Sequence, residues 1–452
     1  MIDSLYSPNP LSVINKTSFK MPEYRKKLIL WIIVIFLAAL LLRLSVILIW
    51  TPAPYPDWLE YVKLAESIVK NGSFSIDGVS NIYRAPIYPA FLAAIYYFSP
   101  DHLYRIATII QSLLSATTCV LIFLLVNNRW GIRIGLFAGI VAAIAPDLIL
   151  YCAYLLTETL YIFLMTLLLY LLIKYTDKSW GAVFSGILLG TSALIRPLAL
   201  IFLPFIIYWA RKTQNAKIHR IILISLLTLF VIIPWSIRNY YVSDSIQLVS
   251  SAGPVNLWLG NNEDGTGKFN YEGEKDKIAY SDTMTESEKN SQYCFEVYKF
   301  ISQKPLSELR LLALKFVFFI TPSGERYFLT TNNSLQNIFI YILSGIFFEF
   351  LFIGTAISLF MADKKNTAIF KMYIYTTLIF VLIFFFLERF RITAYPAFIP
   401  LSTIGWVYLI NKENRRKKLI IVLLAILSQI ILSIIALVLS PEIIRKALAI
   451  FM

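Results

Sequence analysis

Cysteine and histidine are scarce in this chain of 452 residues. It contains three cysteines, Cys119, Cys152 and Cys294, and two histidines, His102 and His219. The cysteines show no paired spacing, and the histidines lie far apart in the sequence. The sequence therefore predicts neither a disulfide framework nor a metal site of the cysteine-rich or histidine-rich kind.

Charge is scarce as well. Charged residues make up 15% of the chain and hydrophobic residues 58%, whereas a soluble domain carries about 25% charged residues. Lys and Arg outnumber Asp and Glu by 41 to 27, which gives a net charge of +14. In a soluble protein such an excess would suggest nucleic acid as a partner. Here the basic residues separate apolar runs, so anionic lipid headgroups and membrane topology explain them better, and we expect no nucleic-acid partner.

Long apolar runs are abundant. Runs of roughly twenty residues, the length that crosses a bilayer as a helix, recur from Leu28 to Leu439. The first run is too long for a signal-peptide core and has no small-residue cleavage site, so we expect it to be retained. The sequence thus predicts an all-α polytopic membrane protein with about eleven transmembrane helices. The predicted spans are 28–50, 103–126, 131–149, 157–175, 180–195, 197–211, 219–237, 335–361, 369–387, 392–410 and 418–440.

Basic residues in the connections predict the orientation of these spans. The connections on one side hold 21 Lys and Arg, whereas the short connections on the other side hold 3. Because Lys and Arg favour the cytoplasmic side, we expect the N-terminus in the cytoplasm and the C-terminus outside, in the cell (inner) membrane. Two long segments, 51–102 and 238–334, then face outward.

The two long segments contain further apolar stretches. Ile87–Phe98 has twelve residues, roughly 18 Å of helix, which is too short for a crossing. Counting it as a span would invert every later connection, and the basic residues argue against that. Trp58–Lys70 and Leu306–Ile320 predict helices in the interface plane. The polar, glycine-containing stretch Gly260–Gln292 predicts a surface loop rather than a domain.

Nine ionisable residues fall at the outer ends of predicted spans or on the outer interface segment. They are Asp57, Glu60, Arg84, Glu158, Arg196, Arg238, Glu388, Arg389 and Arg391. Drawn from separate parts of the chain, they can form one polar site at the outer surface. Ordinary snorkelling to the interface is the alternative, but it favours Lys as readily as Arg. Since these cations are all Arg, the residue suited to bidentate phosphate contact, we expect a phosphate site.

Two carboxylates are candidates for chemistry at this site. An ionised Asp57 beside arginines can accept a proton from an attacking hydroxyl or amine; capping the helix Trp58–Lys70 is its alternative role. Glu158 opens a predicted helix, where it can favour the helix dipole, position an acceptor or hold a metal. Arg43 and Glu349 lie inside predicted spans, and the sequence assigns a role to neither.

An ordered set of motifs resembles the bacterial family 39-type glycosyltransferases, which have the GT-C fold and are related to protein O-mannosyltransferases and aminoarabinose transferases. The likeness runs from residue 28 to about 410. The matching stretches are Asp57–Phe74, Arg84–Ala93, Leu156–Leu160, Ile195–Pro197, Pro234–Asn239, Asn256–Asn262, and Arg389–Arg391 with Pro396.

The resemblance implies a sugar donor on a polyprenyl phosphate and an inverting transfer at the outer face, with Asp57 as general base. Arginines among Arg84, Arg196, Arg238 and Arg389 would hold the phosphate. The expected substrate-binding residues are Glu60, Arg84, Glu158, Arg196, Arg238, Asn239, Arg389 and Arg391. The acceptor would be an envelope glycan, a glycolipid or a protein, and membrane lipids would surround the chain.

The need for a cofactor is left open by the resemblance. Many relatives carry an acidic pair in the first outer loop, whereas here Asp57 is followed by Trp58 and the next acid is Glu60. This departure weakens the transfer of a divalent metal site to the chain. A transporter or flippase of a lipid-linked sugar is the second function, and a non-catalytic membrane scaffold is the third.

The predicted organisation has five parts. They are a cytoplasmic N-terminal segment (1–27), a transmembrane catalytic module (28–237) that includes the first outer loop (51–102), a long outer loop with an interface helix (238–334), the C-terminal transmembrane helices (335–440) and a C-terminal tail (441–452).

Overall fold

The computed structural model describes residues 21–269, 284–322, 334–410 and 415–438. Nearly all of this part of the chain is helical. The helices are α1 (Met21–Ile49), α2 (Pro56–Asn71), α3 (Ile87–Phe98), α4 (Leu103–Trp130), α5 (Ile132–Ile144), α6 (Pro146–Leu150), α7 (Glu158–Tyr175), α8 (Ser179–Ala193), α9 (Leu198–Lys212), α10 (Ile218–Ser243), α11 (Ala252–Gly260), α12 (Glu286–Gln303), α13 (Pro305–Ile320), α14 (Ser334–Met361), α15 (Lys364–Ile383), α16 (Glu388–Ile392), α17 (Tyr395–Ile410) and α18 (Arg415–Val438). Short 3₁₀ turns cover Pro100–His102 and Tyr151–Ala153.

The predicted multi-pass, all-α architecture is confirmed. Each of the eleven predicted spans contains a helix. Among the described residues, six helices, α1, α4, α7, α10, α14 and α15, are individually long and apolar enough to cross a membrane. A seventh crossing is formed if α5 and the bent segment 146–153 count as one span. Of the remaining predicted spans, three are the shorter helices α8, α9 and α17, and the last is α18, which has 24 residues.

The three predicted non-spanning helices are present. Ile87–Phe98 is helix α3, Trp58–Lys70 lies within α2, and Leu306–Ile320 lies within α13. The stretch Gly260–Gln292 is flanked by α11 and the start of α12. Its central residues, 270–283, lie outside the described residues, as do the ends of the chain on which the predicted terminal segments fall.

A short hairpin follows α2. Strand β1 (Ser75–Ile76) pairs antiparallel with β2 (Val79–Ser80). The connecting residues Asp77 and Gly78 both have positive φ, 51° and 83°, as the two-residue turn of a tight hairpin requires. The hairpin turns the chain back along α2, so that Arg84 reaches Asp57 and Glu60 near the start of that helix.

Close helix packing holds the bundle together. Helices α14 and α17 approach most closely where Gly354 and Gly405 face each other, since a Cβ on Gly405 would lie 1.9 Å from the Gly354 carbonyl oxygen. Small residues permit such contacts between spanning helices, where van der Waals packing replaces the hydrophobic drive of aqueous proteins.

The third predicted span is broken. Helix α5 ends at Ile144, Ala145 is extended (ψ 112°), and Pro146 starts α6. The helix axis bends by 55° at this break, because a proline has no N–H for the preceding turn and excludes the helical conformation before it. The chain then passes through the 3₁₀ turn to Thr157 and enters α7 at Glu158.

Candidate functional site

Five parts of the chain meet at one end of the bundle: the start of α2, the segment after β2, the start of α7, the turn between α8 and α9, and α16. Asp57 lies in the first turn of α2, next to Pro56. The residue at the N-cap position is Tyr55, and no side chain caps the helix. Asp57 is therefore free of the capping role, and its carboxylate points to other partners.

Both oxygens of Asp57 accept hydrogen bonds from arginines. Arg84 Nη2 donates to Oδ1 at 2.6 Å, and Arg389 Nη1 donates to Oδ2 at 2.6 Å. Arg84 also donates through Nε to Glu60 Oε2 at 2.6 Å. The Asp57 side chain is 19% exposed, Arg84 16% and Arg389 6%, so these ion pairs are shielded from bulk solvent.

Glu158 is the second carboxylate of the cluster and is fully buried. Its Oε1 accepts from Arg196 Nη2 at 2.5 Å and from Arg389 Nε. Arg196 also donates through Nε to Thr157 Oγ1 at 2.8 Å. Arg389 thus bridges Asp57 and Glu158, and through it the start of α2 is linked to the start of α7.

The arginines fix the ionisation of the cluster. Burial raises the pKa of Asp57, but the charges and hydrogen bonds of Arg389 and Arg84 outweigh it and hold the pKa at about 2. Burial lowers the pKa of Arg389, and the charges of Glu158 and Asp57 more than offset this, so that the pKa lies well above its ordinary value. Asp57 is therefore ionised at any physiological pH.

Aromatic rings hold two of the arginines in place. The Arg84 guanidinium lies 4.9 Å from the ring centre of Tyr83 and 5.4 Å from that of Tyr61. Arg196 lies 5.7 Å from the ring centre of Phe390. A cation–π contact stabilises the guanidinium group and leaves its N–H donors available for hydrogen bonds.

The cluster forms one wall of a cavity of about 450 Å³. Asp57, Arg84, Arg196 and Arg389 line its polar end. The remaining wall is mostly apolar and is built from α9, α15 and the segment before α16. Its apolar members include Ile195, Pro197, Leu198, Ile201, Phe380, Ile383, Phe384, Phe385, Leu387 and Phe390. The cavity can therefore take a molecule with one anionic and one apolar part.

Most of the lining residues are not predicted site residues, and several of these are polar. Tyr61, Tyr83, Thr157 and Asn256 line the cavity beside the cluster. All except Tyr83 belong to the sequence stretches that carry the family resemblance. That membership was the signal that could have found them, because an uncharged side chain gives no electrostatic sign of a site.

Arg238 and Asn239 lie apart from the cluster. Arg238 donates to the carbonyl oxygens of Asn81 (2.7 Å) and Phe74 (3.0 Å). Asn239 Nδ2 donates to the carbonyl oxygens of Gln247 and Val249. Both side chains therefore hold connecting segments against the end of α10. Their predicted contact with substrate stays a prediction.

Arg391 and Glu388 also point away from the cavity. Arg391 Nη1 donates to carbonyl oxygens at the end of α13, including that of Thr321, and Nη2 donates to Glu388 Oε1 at 3.2 Å. Glu349 on α14 lies within electrostatic reach of Arg391. Of the nine predicted ionisable residues, six therefore form the cluster: Asp57, Glu60, Arg84, Glu158, Arg196 and Arg389.

The carboxylates of the cluster do not fit a divalent metal as they are arranged. Asp57, Glu60 and Glu158 each accept from an arginine, and a metal would have to compete with those cations for the same oxygens. Within the described ranges, no three His, Cys, Asp or Glu side chains lie close enough together to hold a metal ion.

Comparisons with known proteins agree with this fold. The structure matches that of ArnT from Cupriavidus metallidurans bound to undecaprenyl phosphate, with a TM-score of 0.50 and 13% sequence identity over 88% of this chain and 63% of that one. It also matches the oligosaccharyltransferase of Archaeoglobus fulgidus in the apo form, with a TM-score of 0.51 and 13% identity over 91% of this chain and 55% of that one. The chain has the GT-C fold.

The GT-C chain also has a sequence match. Residues 83–237 match the dolichyl-phosphate-mannose-protein mannosyltransferase family, which confirms the family 39-type resemblance. This segment includes Arg84, Glu158 and Arg196, whereas Asp57 and Arg389 lie outside it. No curated protein sequence matches the chain. The chain spans between half and two thirds of the length of the two structures that it matches.

Proposed function

We propose that the protein transfers a sugar from a polyprenyl-phosphate-linked donor to an acceptor at the outer face of the membrane, with inversion at the sugar carbon and Asp57 as general base. The observation that carries this proposal is the joining of Asp57, Arg84 and Arg389 in one cluster beside a cavity with an apolar wall. A phosphodiester with an isoprenoid tail has the anionic and apolar parts that such a cavity accepts.

The arginines of the cluster suit the phosphate. Arg196 lines the cavity, and its Nη1 has no hydrogen-bond partner among the described residues although it is buried. A buried donor without a partner is uncommon in folded proteins and favours a ligand at that position. Arginine also presents paired donors that match phosphate oxygens. Arg84 and Arg389, which hold Asp57, also line the cavity and offer further guanidinium groups to the phosphate.

Donor binding would also change the strength of the base. With a pKa of about 2, Asp57 is a poor proton acceptor while Arg84 and Arg389 hold it. A phosphate that draws the two guanidinium groups toward itself weakens their contacts with the carboxylate. The burial that already raises the pKa of Asp57 then has less opposition, so the carboxylate becomes a better base. The base is strengthened only when the donor is present.

The transfer itself needs one base and one leaving group. The acceptor hydroxyl or amine attacks the anomeric carbon of the sugar, the bond from that carbon to the phosphate oxygen breaks, and the polyprenyl phosphate leaves with the bonding electrons. Asp57 accepts the proton from the attacking group. A phosphate leaving group requires no acid. Proton acceptance by a positioned side chain typically contributes 10²–10⁴-fold to a rate.

The test is transfer from a labelled polyprenyl-phosphate sugar to a membrane acceptor fraction by purified protein. The comparison is between the wild type, Asp57→Asn and Asp77→Asn. Asp77 is a matched control because it lies in the same segment, is 78% exposed and, among the described residues, pairs with Lys63. We expect Asp57→Asn to lower the rate at least ~100-fold and Asp77→Asn to leave it unchanged. Transfer that survives Asp57→Asn would remove Asp57 as the base, and absence of transfer from every donor would favour a transporter.

A further inference from the structure

Arg43 is a fully buried charge inside the first spanning helix, α1. Its guanidinium donates to the carbonyl oxygens of Ala143 (3.1 Å) and Ala142 (3.4 Å), to Ser115 Oγ (2.7 Å) and to Cys119 Sγ (3.3 Å). A further bond runs to the carbonyl of Ala39 on its own helix, at 2.9 Å. Within the described residues Arg43 makes no ion pair, so its partners are almost all backbone or neutral groups.

The carbonyl groups that Arg43 reaches belong to the broken span. In a continuous helix the carbonyl of Ala142 would accept from the backbone nitrogen four residues later, but that residue is Pro146, which has no N–H. The 55° bend that follows also interrupts regular hydrogen bonding past Ala143. A carbonyl group left without a donor inside an apolar bundle destabilises the fold. Arg43 supplies the missing donors.

A second contact extends this support beyond the break. Ser115 Oγ accepts from Arg43 Nε and donates to the carbonyl of Leu148, at 3.1 Å. A hydroxyl can play both parts at once, because it has one donor and two acceptor positions. Arg43 and Ser115 therefore hold the end of α5 and the end of α6 together, on either side of the bend.

The remainder of the broken segment leads directly to the site. Gln111 Nε2 donates to the carbonyls of Cys152 (3.0 Å) and Tyr154 (2.8 Å). Thr159 Oγ1 donates to the carbonyl of Tyr151 at 3.2 Å. The next helix begins at Glu158. The position of the buried carboxylate thus depends on a segment whose backbone is held by side chains rather than by regular helix.

A buried charge without a carboxylate partner is energetically costly inside a helix bundle. An unbroken span would offer no free carbonyl groups for such a charge to bind. Ion pairing, the usual reason for such a residue, does not apply to Arg43. The Arg43 side chain has five donors in a fixed arrangement. These donors match a set of carbonyls that point in different directions at a bend, whereas a neutral side chain such as glutamine could bind only part of that set.

We propose that Arg43 is a positioning residue: it holds the broken span so that Glu158 meets Arg196 and Arg389. This rests on the proposed function, since those arginines are the ones assigned to the donor phosphate. Arg43 touches neither the cavity nor the cluster, and it acts through the segment 145–157. Its loss should therefore weaken the hold on the donor rather than remove the base.

One experiment measures the segment directly. In a Cys119→Ser, Cys294→Ser background the remaining cysteine is Cys152, which is fully buried in the broken segment. The rate at which a thiol reagent labels Cys152 then reports how firmly the segment is held. We expect Arg43→Gln to raise this rate about tenfold, equivalent to about 1.4 kcal/mol in an opening equilibrium. Arg43→Lys, which keeps the charge and three donors, should recover most of the protection.

A second measurement follows the donor. Arg43→Gln should raise KM for the polyprenyl-phosphate sugar about tenfold, with recovery in Arg43→Lys. Ser115→Ala is the milder variant in case Arg43→Gln folds poorly, and it should show the same two effects at smaller size. Arg133→Gln is the control, because Arg133 is exposed at the start of α5. A loss of folded protein alone lowers the maximal rate and leaves KM unchanged.

The outcomes separate the two proposals. Faster labelling together with a raised donor KM supports the positioning role. Labelling as slow as in the wild type, or an unchanged KM, overturns it. A wild-type protein that transfers no sugar contradicts the proposed function instead, and the labelling rate still shows whether Arg43 holds the segment.

Discussion

Arg389 and Asp57 lie 332 positions apart in the sequence, yet Arg389 Nη1 donates to Asp57 Oδ2 over 2.6 Å. The contact joins the first turn of α2 to the short helix α16, which follows the spanning helix α15. Because Arg389 also donates to the buried Glu158, a change at any of the three residues is transmitted to the others. The predictions that follow concern this network and the elements that support it.

The arginines divide into two groups that can be tested separately. Arg196→Gln should raise the donor KM by about tenfold to a hundredfold, since a hydrogen bond to a charged group contributes roughly 1.5–3 kcal/mol. Arg238→Gln is the matched comparison, because Arg238 donates to backbone carbonyls of the hairpin region. It should lower the thermal unfolding midpoint and leave the donor KM of the folded protein unchanged. A raised KM in Arg238→Gln would return that arginine to the substrate site.

The low pKa of Asp57 predicts how stability depends on pH. The folded pKa of about 2 lies below the ordinary value of 3.8, so the folded protein binds this proton less readily than the unfolded chain. Ionised Asp57 therefore contributes roughly 2 kcal/mol of stability above about pH 4, and this contribution is lost as the pH falls to about 2. The difference in unfolding midpoint between the wild type and Asp57→Asn should shrink over that range.

The exposed Asp77 serves as the reference for this measurement. Because its side chain is 78% exposed, Asp77→Asn should differ from the wild type by a small amount at every pH. A difference between the wild type and Asp57→Asn that stays constant from pH 5 to pH 2 would contradict the arginine-stabilised carboxylate.

Gly260 makes a close approach that no other residue can make. A Cβ at this position would lie 1.7 Å from the carbonyl oxygen of Phe384 and 3.2 Å from the backbone nitrogen of Phe385, so backbone rather than a movable side chain is in the way. Gly260→Ala should therefore push α11 away from the segment after α15 and lower the unfolding midpoint. Gly253→Ala, in the same helix but with no atom within 4 Å of the added Cβ, should leave the midpoint unchanged or slightly raised. Equal midpoints for the two variants would argue against the close packing.

The orientation of the protein can be read from its cysteines. Cys294 on α12 is exposed, whereas Cys119 and Cys152 are buried. If the segment 238–334 faces outward, as the basic residues of the connections predict, a membrane-impermeant thiol reagent should label the protein in intact cells. Cys294→Ser should abolish this labelling. Labelling that appears only after the membrane is permeabilised would place α12 in the cytoplasm and reverse the predicted topology.

The helices could be predicted from the sequence because each depends on a local pattern. The apolar stretch Ile87–Phe98 in the sequence and helix α3 in the structure cover the same twelve residues. The helix α12 was not predicted, since its sequence is polar and its start is marked only by the capping box of Thr285 and Glu288. Apolar periodicity, on which the prediction depended, is absent there.

The composition of the site could be predicted only in part. The sequence places Arg238 and Arg391 at the ends of predicted spans and Arg84 on the outer segment 51–102, and nothing local distinguishes their roles. Their partners decide their roles. Arg84 meets the carboxylate of Asp57, which lines the cavity. Arg238 donates to backbone carbonyls, and Arg391 donates to backbone carbonyls and to Glu388, which does not line the cavity. Such partners depend on how distant helices pack, as the long separation of Arg389 from Asp57 shows.

The cluster contains equal numbers of arginines and carboxylates: Arg84, Arg196 and Arg389 with Asp57, Glu60 and Glu158. Paired opposite charges cancel at distances much longer than their separation, and salt screens the remaining field over about 8 Å at physiological ionic strength. The site therefore exerts no long-range attraction on an anion in water. A donor held in the bilayer has no need of one, because its tail confines the search to two dimensions. The rate at which the donor is captured should accordingly be insensitive to salt. The phosphate contacts contribute to binding only once the headgroup has entered the cavity.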